Sequence, residues 1–538
     1  MILDSNNSKA FGGASSSAHG TAVDKDKLED LDPHVDTAIY DAIDQAWRSV
    51  PLGTRRKMLA NVKANLEMMS DGQTICSGTA MSGTDIMVHV TQCELHYLHR
   101  ELDYPKHILK PLFACDTDPN VQGFLADQFP DLPLLVNSVA ELSNFKAQNL
   151  LKKNEWRVIP DVELIGMGFV CTSVTKQSSK SKTNRGCVSR GEGATGISFG
   201  ESASAVVKRR ALLSFLENVP ELELEFDDED TGLGTSDLEY IIEHFKKQRM
   251  SAIHLKHNAV RGGSRARRIR LWIIVLDQVL TNDELRELQD NAQTFLALFH
   301  VEPMEPERFL LDRDTVQAMT SGLDSRRAPK RSRVHADWKQ EHEALCSLKG
   351  LRWPICVENT DQQCFDGFKE REAEQVAIAQ LLFPATTSAE RDHWQFFDTN
   401  HSMPRVMWTE GDKEPRNPWK DTCPTMTCGT VVAMRRNEVV RMMDPLEMMR
   451  MQGWDLGMYE GQESPYHQAS ALLPKHVSKM SGNMWNGFSF SIILKVGLAL
   501  PLKADKRFMN VVADEKKLEQ EEDEEEDDDE GGGSSESD

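Results

Sequence analysis

The chain has 538 residues, 39% of them hydrophobic and 27% charged, an ordinary composition that supports two or three domains with a sizeable core. No run of about 18 apolar residues is present, which argues against a transmembrane helix, and the first 20 residues, rich in Ser, Gly and Ala, lack the basic start and apolar centre of a signal peptide. The net charge of −23 is concentrated at one end: residues 514–538 hold 15 acidic and 2 basic side chains.

That acidic tail carries too little apolar surface to fold and is read as solvated, with a decoy for basic partners as the functional alternative. Residues 1–22 are expected to be disordered. Residues 23–70 have apolar positions three and four apart, which predicts a helical extension. From residue 71 strands and helices alternate. Thr74-Ile75-Cys76 is a short strand expected to stop at Ser77-Gly78, and residues 84–102 form a helix. A second strand, Leu112 to Cys115, ends in Asp116. Residues 161–171 form a third strand and Leu212 to Val219 a fourth. A helix at 237–248, the strand Ile269 to Leu276 and a helix at 281–298, capped by Thr281 with Glu284 three residues on, complete this part. The alternation predicts an α/β fold with a mostly parallel, Rossmann-like sheet. In such sheets ligands bind beyond the carboxyl ends of the strands, where Gly78, Asp116, Cys171 and Glu217 are expected.

Residues 299–435 are rich in Pro, Trp and polar side chains and read as a smaller second domain. The basic stretch at 325–335 is either a solvated loop or a nuclear address with phosphate contacts. Residues 436–505 return to the first domain through a helix at 444–453 and an apolar closing helix at 475–500. The stretches 177–186 and 191–196 read as a mobile loop. Ten scattered cysteines argue for reduced thiols. Cys346, Cys356, Cys364, Cys423 and Cys428 contain no C-x2-C pair, so no metal site is expected.

Cys171 alone, at the end of an apolar strand, has the character of an inert buried thiol. Glu217 ends the next apolar strand, where burial would raise its pKa and let it hold a ring nitrogen. Arg268 and Arg270, two apart at the start of a strand, share one face and suit a carbonyl, phosphate or carboxylate.

Together these segments resemble the DNA cytosine-5 methyltransferase family over residues 72–500. The resemblance rests on Glu217-Asn218-Val219, on Pro424 to Thr427, on Arg441 to Pro445 with Glu447, on Met451-Gln452-Gly453-Trp454, and on Gly482-Asn483 opening an apolar helix. It implies a divergent eukaryotic-type member using S-adenosylmethionine, with Cys171 as the nucleophile and Glu217, Arg268 and Arg270 as catalytic partners. It implies a cofactor site of Ser77, Gly78, Thr79, Asp116, Ser138 and Asn483. Residues 299–435 become the target-recognition domain, duplex DNA the substrate, the nucleus the setting, and histones or chromatin partners for the acidic tail. The sequence departs from the family's pattern at Val170, where proline precedes the cysteine, at Ala266, where a glutamine precedes the arginines, and at Ser138, where an aspartate stands. Two other readings stay open: a catalytically decayed DNA- or chromatin-binding protein, and an RNA cytosine methyltransferase.

Overall fold

A computed structural model describes residues 38–81, 83–152, 155–175, 185–227, 234–305, 308–309, 406–410, 423, 432–436, 439–443, 445–454 and 474–502. Two helices lead in, α1 (Ala38–Ser49) and α2 (Leu52–Met69). The first half of the sheet then follows as β1 (Thr74–Ala80), α3 (Ile86–Leu102), β2 (Ile108–Cys115), α4 (Pro119–Gln128) and β3 (Leu134–Val136). A hairpin of β4 (Lys146–Gln148) and β5 (Trp156–Val158) separates this half from β6 (Leu164–Gly168), α5 (Gly193–Arg209) and β7 (Leu213–Asn218). After a second hairpin, β8 (Glu225–Asp227) and β9 (Gly234–Ser236), come α6 (Asp237–Lys247), β10 (Ser251–Asn258), β11 (Ile269–Leu276) and α7 (Asn282–Leu298).

Seven strands form one sheet in the order β10-β11-β7-β6-β1-β2-β3. The pairs from β7 through β6, β1 and β2 to β3 are parallel, and β11 runs antiparallel to both neighbours. The strand order reverses between β1 and β6, so the crevice beyond their carboxyl ends is the topological switch point of a doubly wound sheet.

Residues 406–442 add a separate antiparallel sheet of β12 (Val406–Glu410), β13 (Val432–Arg436) and β14 (Val439–Met442). This sheet crosses the boundary expected at 435. Residues 310–405 of the expected second domain, with the basic stretch at 325–335, lie outside the described residues, as do residues 1–37 and the acidic tail.

The closing helix differs from expectation. In place of one helix over 475–500 there are two, α9 (Pro474–Asn483) and α10 (Gly487–Ala499), after the short α8 (Pro445–Arg450). The break falls where Asn486 accepts a hydrogen bond from Ser489 N–H and caps α10. All 13 residues of α10 are buried, as befits a helix apolar on every side. It lies against β7, where a side chain at Gly497 would meet the Phe215 ring. Its final carbonyls are satisfied from α2: Asn65 Nδ2 donates to Leu498 O and Leu500 O at 2.7 and 2.6 Å, and Asn61 Nδ2 to Ala499 O at 2.8 Å. One core therefore packs α1, α2, α3, α7 and α10 on one face of the sheet, and α5 and α6 cover the other. Among the described residues no helix is long and apolar enough to cross a membrane.

Candidate active site

The segment leaving β6, the end of β7 and the start of β11 bring the four expected catalytic side chains together. Gly168, the last residue of β6, pairs with Glu217 of β7, and Trp272 of β11 pairs with the same Glu217 from the other side. Cys171 follows three residues beyond β6. Arg270 Nε lies 2.7 Å from Glu217 Oε1, an ion pair that approaches off the direction of a hydrogen bond. Arg268 Nη2 is 3.9 Å from the same oxygen. Burial pushes the Cys171 thiol above its ordinary pKa; the Arg270 guanidinium draws it down, Glu217 raises it and Arg268 lowers it. Sequence reasoning placed both arginines on one face, and both do face Glu217. They differ in what else they hold: Arg268 Nη1 donates to Gly482 O at 3.2 Å, whereas Arg270 exerts the stronger pull on the thiol.

Beyond β1, β2 and β3 lies a second group. Asp116 follows β2. Burial raises its carboxyl to about 6, against a lowering hydrogen bond from Asp118 N–H at 2.8 Å. Asp85, buried and in the left-handed region at φ 53°, adds a like charge that raises it further. Asp118 caps α4 and pairs with Lys479 of α9 at 2.6 Å, which helps hold its carboxyl down at about 2. Ser138, after β3, is half-buried at the start of a short helical turn over Val139–Ser143 and makes no capping bond to it. Asn483 is exposed at the end of α9. Because the folded pKa of Asp116 exceeds its unfolded value near 3.8, the carboxylate destabilises the fold at high pH, and this cost disappears as pH falls through 6 to below 3.8. Asp116→Asn is expected to be more resistant to denaturant than the parent at pH 8, with the gap closing by pH 4. Parallel urea titrations at the two pH values measure it, and an equal gap at both would sink the assignment.

The glycine turn lies elsewhere than expected. β1 does not stop at Cys76 but runs to Ala80. Ser77 and Thr79 are fully buried inside it, and a side chain at Gly78 would come within 2.1 Å of the Phe113 ring. Ser77, Gly78 and Thr79 thus serve the contact of β1 with β2, where the pairing register shifts. The turn comes at Met81 and residues 83–85, with Gly83 at φ 80°. A side chain at Gly83 would meet the Met484 backbone at 2.9 Å, so this loop and the α9–α10 junction touch directly. Trp454 fastens the same loop: its Nε1 donates to Thr84 Oγ1 at 2.6 Å, and its ring stacks on His89 of α3 at 5.4 Å.

Several contributors gave little sequence signal. Trp485 lies over the carboxyl end of β6, edge-on to Trp272 at 5.0 Å. Gly166 and Gly168 leave room for it: side chains there would come within 3.0 Å of its ring. The alternating glycines of Leu164–Gly168 were the available clue, since a strand glycine often marks close approach of another segment. Residues 191–196, expected as loop, instead include the first turn of α5, from which Ser198 and Thr195 reach the turn carrying Cys171.

No family model matches this sequence, and no curated protein matches it. Among solved structures the chain is similar to the S. pombe Dnmt2 methyltransferase at 11% identity, over 79% of this chain and 98% of that one, with a TM-score of 0.36. A putative DNA modification methyltransferase encoded within an E. coli prophage gives 14% identity over 79% and 99%, with a TM-score of 0.36. The Entamoeba histolytica methyltransferase EhMeth gives 11% over 79% and 98%, with a TM-score of 0.34. The fold of this chain rests on its own strand order. Among the described residues no group of three or more His, Cys, Asp or Glu is arranged to hold a metal. Cys423 exchanges backbone hydrogen bonds with Arg265 and Arg267, and Cys346, Cys356, Cys364 and Cys428 lie outside the described residues, as do Pro424 to Thr427.

Proposed function

We propose that the chain is an S-adenosylmethionine-dependent cytosine-5 methyltransferase acting on duplex DNA, with Cys171 as its nucleophile. One observation carries the reading: a half-buried thiol, a buried carboxylate and a guanidinium meet at the ends of three adjacent strands, beside the switch point of a doubly wound sheet. A lone structural cysteine has no need of a cation and an anion held in register on neighbouring strands.

The two halves of the sheet edge divide the work. On the β1–β2–β3 side, Asp116 and Asp85 supply carboxylates suited to ribose hydroxyls and to a cationic ligand, and Gly83 keeps the β1–α3 loop close to Met484. These groups fit the cofactor, with Ser138 and Asn483 at the margins, and Gly83 takes the part first assigned to Gly78. The bound cofactor would supply an electrophilic methyl group. On the β6–β7–β11 side, the Cys171 thiol loses its proton and Arg270 stabilises the thiolate. The sulfur adds to C6 of the cytosine, which makes C5 nucleophilic. Glu217 passes a proton to N3 as negative charge develops there and accepts a hydrogen bond from the amino group. Once C5 has gained its methyl group, loss of the C5 proton to solvent expels the thiolate, and return of the N3 proton to Glu217 restores the ring. C5 and C6 are stacked inside a duplex, so the cytosine must be flipped out, at a cost of a few kcal/mol offset by pocket contacts. A nuclear setting, and chromatin as partner of the acidic tail, belong to the same proposal.

The test is transfer of label from tritiated S-adenosylmethionine to duplex DNA and to structured RNA at matched salt, with trapping on DNA containing 5-fluorocytosine. Label at C5 of DNA and a covalent adduct are expected. Label on RNA alone would move the substrate to RNA. Cofactor binding by calorimetry without label or adduct on either would leave a binding protein and overturn the proposal.

A further inference from the structure

Side chains from a single place, the first turns of α5, hold the segment that carries Cys171. Val170 N–H donates to Ser198 Oγ at 3.0 Å. Ser173 N–H donates to Thr195 Oγ1 at 3.2 Å, and Ser173 Oγ accepts from Thr195 N–H at 3.3 Å. Between these clasps Cys171 O accepts from Val174 N–H and Thr175 N–H at 3.2 and 3.0 Å. Upstream, Asn218 Nδ2 donates to Phe169 O at 2.8 Å. The backbone is therefore pinned on both sides of Cys171.

The two hydroxyls of α5 are buried and poorly suited to a helix by propensity. Ser198 donates its own proton to Thr195 O at 3.2 Å, which turns its lone pairs toward Val170. The helix start is also cut to fit. A side chain at Gly196 would come within 2.1 Å of Cys187 O, and one at Gly193, at φ 63°, would meet Ser173 Oγ at 3.0 Å.

We infer that Ser198 and Thr195 are positioning residues for Cys171, fixing the backbone on either side of it so that the thiol stays within the field of Arg270 and Glu217. The consequence for catalysis rests on the methyltransferase reading; the geometry does not. Val170 is the hinge of the argument because its N–H is the donor. A proline there would fix φ and remove that N–H, so a proline at 170 and the Val170–Ser198 bond are interchangeable means of holding one residue.

The experiment is alkylation of the full chain with iodoacetamide from pH 6 to 10, read at the Cys171 peptide by mass spectrometry. Ser198→Ala is expected to slow alkylation about tenfold across this range, as the thiol drifts from Arg270 and its midpoint rises, while Ser198→Thr keeps the parent profile. In a Val170→Pro background, Ser198→Ala is expected to change nothing further. Thr195→Val, which removes the acceptor of the second clasp, is expected to raise the midpoint as well and stands in if Ser198→Ala fails to fold. Profiles of Ser198→Ala and Thr195→Val that superpose on the parent overturn the inference, as does an equal Ser198→Ala shift with and without proline at 170. Trapping of the parent chain on 5-fluorocytosine DNA reports the methyltransferase reading separately. If the parent is trapped, Ser198→Ala is expected to form the adduct about tenfold more slowly, with DNA affinity unchanged.

Discussion

Under the proposed mechanism, Cys171→Ser is expected to eliminate the covalent adduct on 5-fluorocytosine DNA and to lower methyl transfer on the order of 10⁴-fold or more, since the proposed attacking group is removed. A hydroxyl in the same place does not ionise at working pH, and the Arg270 guanidinium has no thiolate to stabilise. Cofactor affinity, assigned by the same proposal to groups beyond β1, β2 and β3, should be unchanged by calorimetry. Glu217→Gln is the informative companion. The carboxylate raises the Cys171 thiol and pairs with Arg270 at 2.7 Å; replacing it with an amide lowers the thiol pKa and so speeds alkylation at pH 8. Methyl transfer should nevertheless fall by about 10²–10³-fold, because the group that holds the base as charge develops is gone. A more reactive thiol in a slower enzyme separates assistance to the base from activation of sulfur. Full methyl transfer by Cys171→Ser would end the assignment of the nucleophile.

The second large effect concerns stability. Lys495 of α10 and Glu94 of α3 form an ion pair at 2.5 Å with no exposure of either side chain. Trp47 Nε1 of α1 donates to Glu94 Oε1 at 2.7 Å, and Ser491 Oγ lies 2.8 Å from Lys495 Nζ. Burial pushes the Lys495 ammonium down, against the upward pull of Glu94. Removing one partner strands the other charge in the core, so Lys495→Met is expected to cost about 3–5 kcal/mol in equilibrium denaturation. The double variant Lys495→Met with Glu94→Gln should recover a large part of that loss, because no buried charge remains uncompensated. A double variant as unstable as the single one would show that packing, not charge, sets the penalty.

The parts of the fold legible in the sequence were those whose local chemistry is self-sufficient. The strand Ile269–Leu276 is an unbroken β-branched and apolar run, and the helix after Thr281 carries its own capping box with Glu284; both appear with the expected bounds to within a residue. That the two arginines share a face follows from strand parity; that Glu217 lies against them comes from the pairing of β7 with β11. The elements that escaped depend on distant partners. α5 opens on Gly193, Gly196 and several hydroxyl residues, which local propensity reads as loop; it is helical because Cys187, Ser173 and Val170 pack and bond against that start. β10 alternates His and Lys with apolar residues as the last strand of the sheet and gains its definition only from pairing with β11. The two glycines at 78 and 83 look alike in sequence. One accommodates the ring of Phe113 and the other a positive φ beside Met484, and only the tertiary contacts tell which of them makes the turn.

The position of α10 also fixes the order in which the molecule can be made. Its 13 buried residues are the last regular element described, yet they lie against β7, α2 and α3, segments synthesised hundreds of residues earlier. While the ribosome is still adding the chain between them, Phe215, Trp272 and the part of α3 that meets α10 lack that partner. Folding of this core is therefore completed only after residue 500 has emerged, and a message truncated before codon 487 yields a chain that quality control meets as unfinished protein rather than as a shortened but folded one.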